Sequence, residues 1–236
     1  MRLSERLEAL IAQAAKDLNG RTVADVGTDH GFVPIRLVES GAASYGIAMD
    51  VRKGPLERAK AHIAERGLTG KLETRLSDGL AGLRPGEADT VVIAGMGGEL
   101  MLRILTEGEH VRGSVRRWIL SPQSELARFR HGLEELGLAI TEETMVEEDG
   151  KFYVILTAEP GQMHYDEEFR YRYGDRLIEQ RSPELSRLLL REEEQYRELI
   201  RRLSRADSPA ARERLEALQE ELRQTEEARH AMQGLD

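Results

Sequence analysis

Up to about residue 158 the chain alternates short runs rich in β-branched residues with longer stretches whose apolar positions recur every three or four residues. The short runs predict strands at 22–26 (TVADV), 44–50 (SYGIAMD), 71–76 (KLETRL), 89–94 (DTVVIA), 116–120 (RRWIL), 138–145 and 151–157 (KFYVILT). The periodic stretches predict helices near 3–18, 31–40, 54–66, 98–108 and 123–136. Strict alternation of strand and helix implies βαβ units around a mostly parallel sheet, an α/β fold. The last two strands are joined by "VEEDGK", whose Asp149-Gly150 pair favours an antiparallel hairpin over a further crossover.

The pattern changes after Pro160-Gly161, where Arg, Glu and Leu dominate and β-branched residues become scarce. Ser182-Pro183 and Ser208-Pro209 each place an N-capping hydroxyl before a proline at the first helical position, so each predicts a helix start. Leu188, Leu189, Tyr196, Leu199, Ile200 and Leu203 in the first helix match Ala211, Leu215, Leu218, Leu222, Thr225 and Met232 in the second as a heptad-like seam. The expectation is therefore two domains, residues 1–158 and residues 159–236, the second an antiparallel helical coiled coil.

Composition narrows the chemistry. The absence of cysteine removes disulfides, thiolate metal sites and thiol nucleophiles, and suits a reducing cytoplasm. The longest apolar runs fall short of a membrane span, and the five histidines other than His30 show no metal-ligand spacing, so neither membrane nor metal is expected. A net charge of -9 means that any RNA partner is held by local cationic patches. Residues 159–236 carry 14 Arg and no Lys against 19 acidic residues, so they are no general polyanion surface. The candidate phosphate contacts are Arg52, Lys53, Arg112, Arg116, Arg117, Arg128 and Arg130, near strand ends or the helices beside them.

"VADVGTDHGFVPI", residues 23–35, has the form of a nucleotide-binding strand-turn-helix, but Asp29 stands between Gly27 and Gly31 where such turns usually carry a middle glycine. A carboxylate there repels a pyrophosphate and favours a cation. S-adenosylmethionine has that sign: a sulfonium, an ammonium and no phosphate. Asp25 adds a further carboxylate, Asp50 ends the next strand where an acid can accept both ribose hydroxyls, and Asp78 in "LSDGL" can meet an adenine amino group. The fourth strand exits into "IAGMGGELM", whose Gly95, Gly97 and Gly98 leave little side-chain bulk beside a methyl-transfer position. No Asn/Asp-Pro-Pro-aromatic tetrapeptide follows, which turns attention from an exocyclic amine to a ring nitrogen.

With these motifs the chain resembles the bacterial tRNA (adenine(22)-N1)-methyltransferases. The resemblance rests on "LSERL" (3–7), "DVGTDHGFVP" (25–34), "GPLERA" (54–59), "IAGMGGELM" (93–101), "ILSPQSE" (119–125) and "EEDGKFYVIL" (147–156). It implies a Rossmann-like class I methyltransferase sheet with a C-terminal helical coiled-coil domain that helps hold tRNA. It further implies S-adenosyl-L-methionine contacts from Gly27, Asp29, His30, Gly31, Asp50, Val51, Asp78, Gly79, Gly95 and Met96. On the substrate side the residues themselves offer Gln123, which could meet an adenine edge, Arg6, a pocket-mouth contact or an exposed first-turn charge, and Tyr153, a base-stacking ring or a core aromatic. Relatives often carry Leu-Gln-Pro-Asn after the fifth strand, where this chain has Leu120-Ser121-Pro122-Gln123.

Adenine N1 attacks with its own lone pair, so no base is needed beforehand and His30 reads as a loop-ordering or cofactor-pocket residue. Catalysis is then mainly positioning, with Asp29 available to stabilise the cationic ring that methylation leaves. A monomer is the expectation. Three alternatives stay open: a methyltransferase for a non-RNA substrate, a non-catalytic tRNA-binding scaffold with a retained pocket, and an NAD oxidoreductase.

Overall fold

A computed structural model of the chain describes residues 3–205 and 208–234. It divides into two compact units, Met1–His164 and Tyr165–Asp236. The first contains α1 (Glu5–Ala15), β1 (Arg21–Val26), α2 (Phe32–Glu39), β2 (Ala43–Asp50), α3 (Lys53–Glu65), β3 (Leu72–Leu76), β4 (Thr90–Ala94), α4 (Gly98–Glu107), α5 (Glu109–Arg112), β5 (Arg117–Ser121), α6 (Leu126–Glu135), β6 (Leu138–Glu148) and β7 (Lys151–Pro160). The second contains α7 (Glu168–Tyr173), α8 (Asp175–Glu179), α9 (Pro183–Leu203) and α10 (Pro209–Gln233).

All seven strands form one sheet in the order β3-β2-β1-β4-β5-β7-β6. Pairs among β1 to β5 are parallel, whereas β7 runs antiparallel to both β5 and β6. This is the expected Rossmann-like sheet with a terminal hairpin. The chain moves outwards from β1 in one direction through β2 and β3, then returns to β4 on the other side. The carboxyl ends of β1 and β4 thus flank a topological switch point, where open α/β sheets bind ligands.

Helices on both faces explain the continuous apolar runs of the central strands. Val91, Val92, Ile93, Trp118, Ile119 and Leu120 are all buried. On one face, Leu10, Ala14 and Leu18 of the α1 segment join Val33, Ile35 and Leu37 of α2 and Ile155 of β7 in one cluster. Ser4 caps α1 by accepting from the Leu7 amide at 3.3 Å. Asp149 and Gly150 both adopt positive φ, 51° and 72°, so the tight turn predicted at this dipeptide closes the β6–β7 hairpin.

Two of the arginines expected at the surface are core residues. Arg117 and Arg130 are each 1% exposed at the side chain. Arg130 pairs with the equally buried Glu143 at 2.7 Å, and Arg117 is surrounded by Asp17, Glu142 and Glu159. A buried guanidinium needs such company because desolvation alone costs several kcal/mol.

In the helical unit, Ser182 and Ser208 cap α9 and α10 with their hydroxyls as the Ser-Pro signals predict. The expected seam is only partly closed. Leu185, Leu189, Leu218, Thr225, Ala228 and Met232 are buried, but Leu199 is exposed and Glu193 takes a buried position instead. Glu193 is held by Arg197 at 2.6 Å and Arg229 at 3.0 Å. Several surface arginines are spent on neighbouring acids, among them Arg202 on Glu198 and Arg223 on Glu220.

Candidate active site

The turn after β1 folds across the end of β2: the amides of Gly27 and Thr28 both donate to the Met49 carbonyl, at 2.9 and 2.8 Å. Gly27, His30 and Gly31 all take left-handed φ values, between 66° and 79°. At Gly27 the glycine is also a matter of space, since a Cβ would lie 2.6 Å from Met96 Cε. The Met96 side chain of the turn after β4 thus packs directly against the turn after β1.

Two adjoining clefts open at this edge of the sheet. One, of about 320 Å³, is lined by Asp50, Val51, Asp78, Gly79, Met96, Leu100 and Arg103. The other, of about 420 Å³, is lined by Arg6, Asp25, Thr28, Asp29, His30, Phe32, Ser121 and Gln123. Gly27, Arg52, Ala94 and Gly95 border both. A Cβ on Gly95 would meet nothing within 4 Å, so the passage between the clefts is open there.

The electrostatics favour a polar, cationic guest. Burial pushes the Asp25 carboxyl up to about 6, and the nearby Asp50 adds to the rise. The Thr28 hydroxyl opposes that rise but lies outside hydrogen-bond geometry, and its oxygen is buried without a partner. A buried hydroxyl and a desolvated carboxylate on the same wall are groups that a bound polar ligand would satisfy. Asp50 uses Oδ1 to accept from the Arg52 amide at 2.7 Å and from Arg52 Nε at 3.5 Å. These residues fit S-adenosylmethionine, whose positive amine and ribose hydroxyls call for this donor and acceptor set.

Asp29 does not stand alone in the turn. Arg58 of α3 donates to its Oδ1 at 2.7 Å and holds its carboxyl below the usual range, although its side chain remains 61% exposed. The glycine string after β4 also does something unforeseen. A Cβ on Gly98 would stand 2.7 Å from the Ser124 carbonyl oxygen, and one on Gly97 would stand 2.9 Å from Ser124 Oγ. Gly97 and Gly98 thus admit the β5–α6 loop, and only Gly95 faces open space. The Gln123 amide donates to the Met96 carbonyl at 3.0 Å, which ties that loop to the turn.

The remaining predicted residues separate into cleft and support. Gly31 caps α2 and packs against Ala59, where a Cβ would come within 3.1 Å. Tyr153 stands beneath Arg6, whose guanidinium lies 4.7 Å from the ring centroid. The Arg6 amide donates to Glu148, so the start of α1 is fastened to the β6–β7 hairpin while its arginine reaches the cleft. Thr28, Arg58 and Arg103 join the site without a signal of their own in the sequence, and Ser121, marked there only as a departure from the family pattern, lines the second cleft. Only their position after a strand, or one helical turn from a glycine, could have marked them.

A family profile described as TrmK, tRNA (adenine(22)-N(1))-methyltransferase, matches residues 23–227. The Bacillus subtilis tRNA (adenine(22)-N(1))-methyltransferase is 37% identical over 161 residues, covering 68% of this chain and 66% of that protein, about two thirds of its length. Among solved structures, the B. subtilis M1A22 tRNA methyltransferase TrmK superposes with a TM-score of 0.85 at 29% identity, covering 100% of this chain and 99% of that one. Streptococcus pneumoniae Sp1610, in complex with S-adenosyl-L-methionine, superposes with a TM-score of 0.80 at 33% identity over 96% of this chain and 99% of that one.

Proposed function

The chain belongs to the tRNA (adenine(22)-N(1))-methyltransferase family, and from that premise we propose that it methylates N1 of adenine 22 in the tRNA D-loop, using S-adenosylmethionine. The observation that carries this reading is the pair of clefts that share Gly27, Arg52, Ala94 and Gly95, with open space beside Gly95.

S-adenosylmethionine supplies, when bound, a methyl group on a positive sulfur. Asp50, Val51, Asp78, Gly79 and Met96 are the residues proposed to hold its adenosine, with the Asp50 carboxylate at the ribose. Asp25, Gly27, Thr28 and the backbone of the 27–31 turn would take its amino-acid end. The target adenine would enter the second cleft between Arg6, Asp29 and Gln123. Its N1 lone pair forms the new N–C bond as the S–C bond breaks, so the chain needs no proton acceptor before the transfer. The ring becomes cationic, and Asp29, kept ionised by Arg58, is placed to stabilise that charge. Tyr153 acts through Arg6 as a positioning residue. His30 orders the turn.

Incubation with unmodified tRNA and methyl-labelled cofactor, followed by mass spectrometry of the nucleosides and of the nuclease fragments that place them, tests the reading. Labelled 1-methyladenosine at position 22 is the expected product. Label in another nucleoside, in protein or in no product overturns it.

A further inference from the structure

His30, Phe32 and His62 form a cluster of three nearly parallel rings beside the acceptor cleft. Their centroids are 5.2 to 5.5 Å apart, and the planes differ by 4° to 19°. Phe32 borders the acceptor cleft on one side and a separate cavity of about 200 Å³ on the other. That cavity is lined by Phe32, Ile35, Arg36, His62, Glu65 and Arg66 among others. It is smaller than the roughly 300–1,000 Å³ of sites for whole ligands, and suits one planar ring system.

We infer that this cavity receives the nucleobase next to the target adenine in the RNA, stacked on Phe32 and His62. The inference rests on the methyltransferase reading above and extends it to how the RNA strand is held.

Its chemistry points to a base rather than a phosphate. Arg36 and Arg66 both lie against Glu39, Arg66 at 2.7 Å and Arg36 at 3.7 Å, and Glu65 adds a second acid. Two cations against two anions leave no net attraction for a phosphate. They do leave donors and acceptors beside an aromatic wall, which is what an uncharged, flat, hydrogen-bonding group requires. His62 contributes a ring held in place. Its Nδ1 lies 2.9 Å from the His30 carbonyl, which only accepts, so Nδ1–H is the donor of that bond. The same bond fixes the ring beside His30, whose positive φ turns the chain into the cluster. A target base withdrawn from its stack leaves its neighbour unstacked too, and an aromatic wall shared by both cavities offers a replacement surface.

Two measurements test this. First, tRNAs carrying 2-aminopurine immediately 5′ or immediately 3′ of the methylated adenine are titrated with the wild-type protein. One of the two should change its fluorescence on binding, and no change in either overturns the inference. Second, His62→Leu removes the ring and His62→Phe keeps it. The leucine variant should raise KM for tRNA roughly five- to tenfold, with cofactor affinity unchanged, and the phenylalanine variant should stay within about twofold of wild type. Equal KM for wild type and His62→Leu also overturns it. Failure of the wild-type protein to methylate tRNA would instead defeat the underlying reading, so the two failures are distinguishable.

Discussion

The Arg58 guanidinium, on α3, donates to Asp29 Oδ1 at 2.7 Å, so the acid in the β1–α2 turn is gripped by the next helix. The pair is largely exposed, and such pairs contribute about 0–1 kcal/mol to stability. Its value is positional. Asp29→Asn should lower kcat/KM for tRNA by roughly tenfold or more while leaving the melting temperature within a few degrees of wild type. Steady-state kinetics beside thermal melts check this, and unchanged turnover removes Asp29 from the proposed chemistry.

Asp25 should show the opposite balance. Its carboxyl is raised from 3.8 to about 6 in the folded chain, so ionising it opposes folding above pH 6, and the penalty fades as pH falls towards 3.8. Asp25→Asn should therefore stabilise the ligand-free protein at pH 7.5, by on the order of 3 kcal/mol at most, and have little effect near pH 4. It should also weaken cofactor binding. Urea melts of both proteins at the two pH values measure the first effect, and calorimetric titration at pH 7.5 measures the second. A stability difference that ignores pH would contradict the assignment.

The glycines after β4 should differ in kind. Gly98→Ala drives a methyl to 2.7 Å from a backbone oxygen and should cost about 1–3 kcal/mol. Gly95→Ala meets no atom but strains a φ of 79°, so it should cost about 1 kcal/mol and impair transfer by intruding on the passage between the clefts. Gly113→Ala, with neither constraint, should fall within about 0.5 kcal/mol of wild type. Denaturant midpoints and initial rates separate the three.

Arginines near the sheet edge should divide by burial. Arg52 is 73% exposed and borders both clefts, so Arg52→Gln should weaken tRNA binding and reduce the salt-dependence slope by about 1. Arg130→Met leaves the Glu143 carboxylate buried without its guanidinium and should cost about 3–5 kcal/mol. The Arg130→Met/Glu143→Leu double variant should recover most of that loss. Binding isotherms at several salt concentrations and chemical melts provide the comparison.

What the sequence by itself determined was everything carried by local periodicity and by turn chemistry. Strand and helix alternation, the Asp149-Gly150 hairpin, and the Ser182 and Ser208 caps depend on residues a few positions apart, so they can be read along the chain. The acids that end successive strands were legible for the same reason, because a parallel sheet brings such ends to one edge. Short α5, α7 and α8 escaped because four to six residues hold too little periodicity to read. Tertiary structure alone decided which charges are free. Arg58 reaches Asp29 from 29 residues away and Arg130 is spent on Glu143 across a helix–strand contact. It alone also decided that Gly97 and Gly98 admit the Ser124 loop while Gly95 faces the cleft. A residue's type limits what it can do, but its partner across the fold selects among those uses, and that partner has no fixed spacing in sequence.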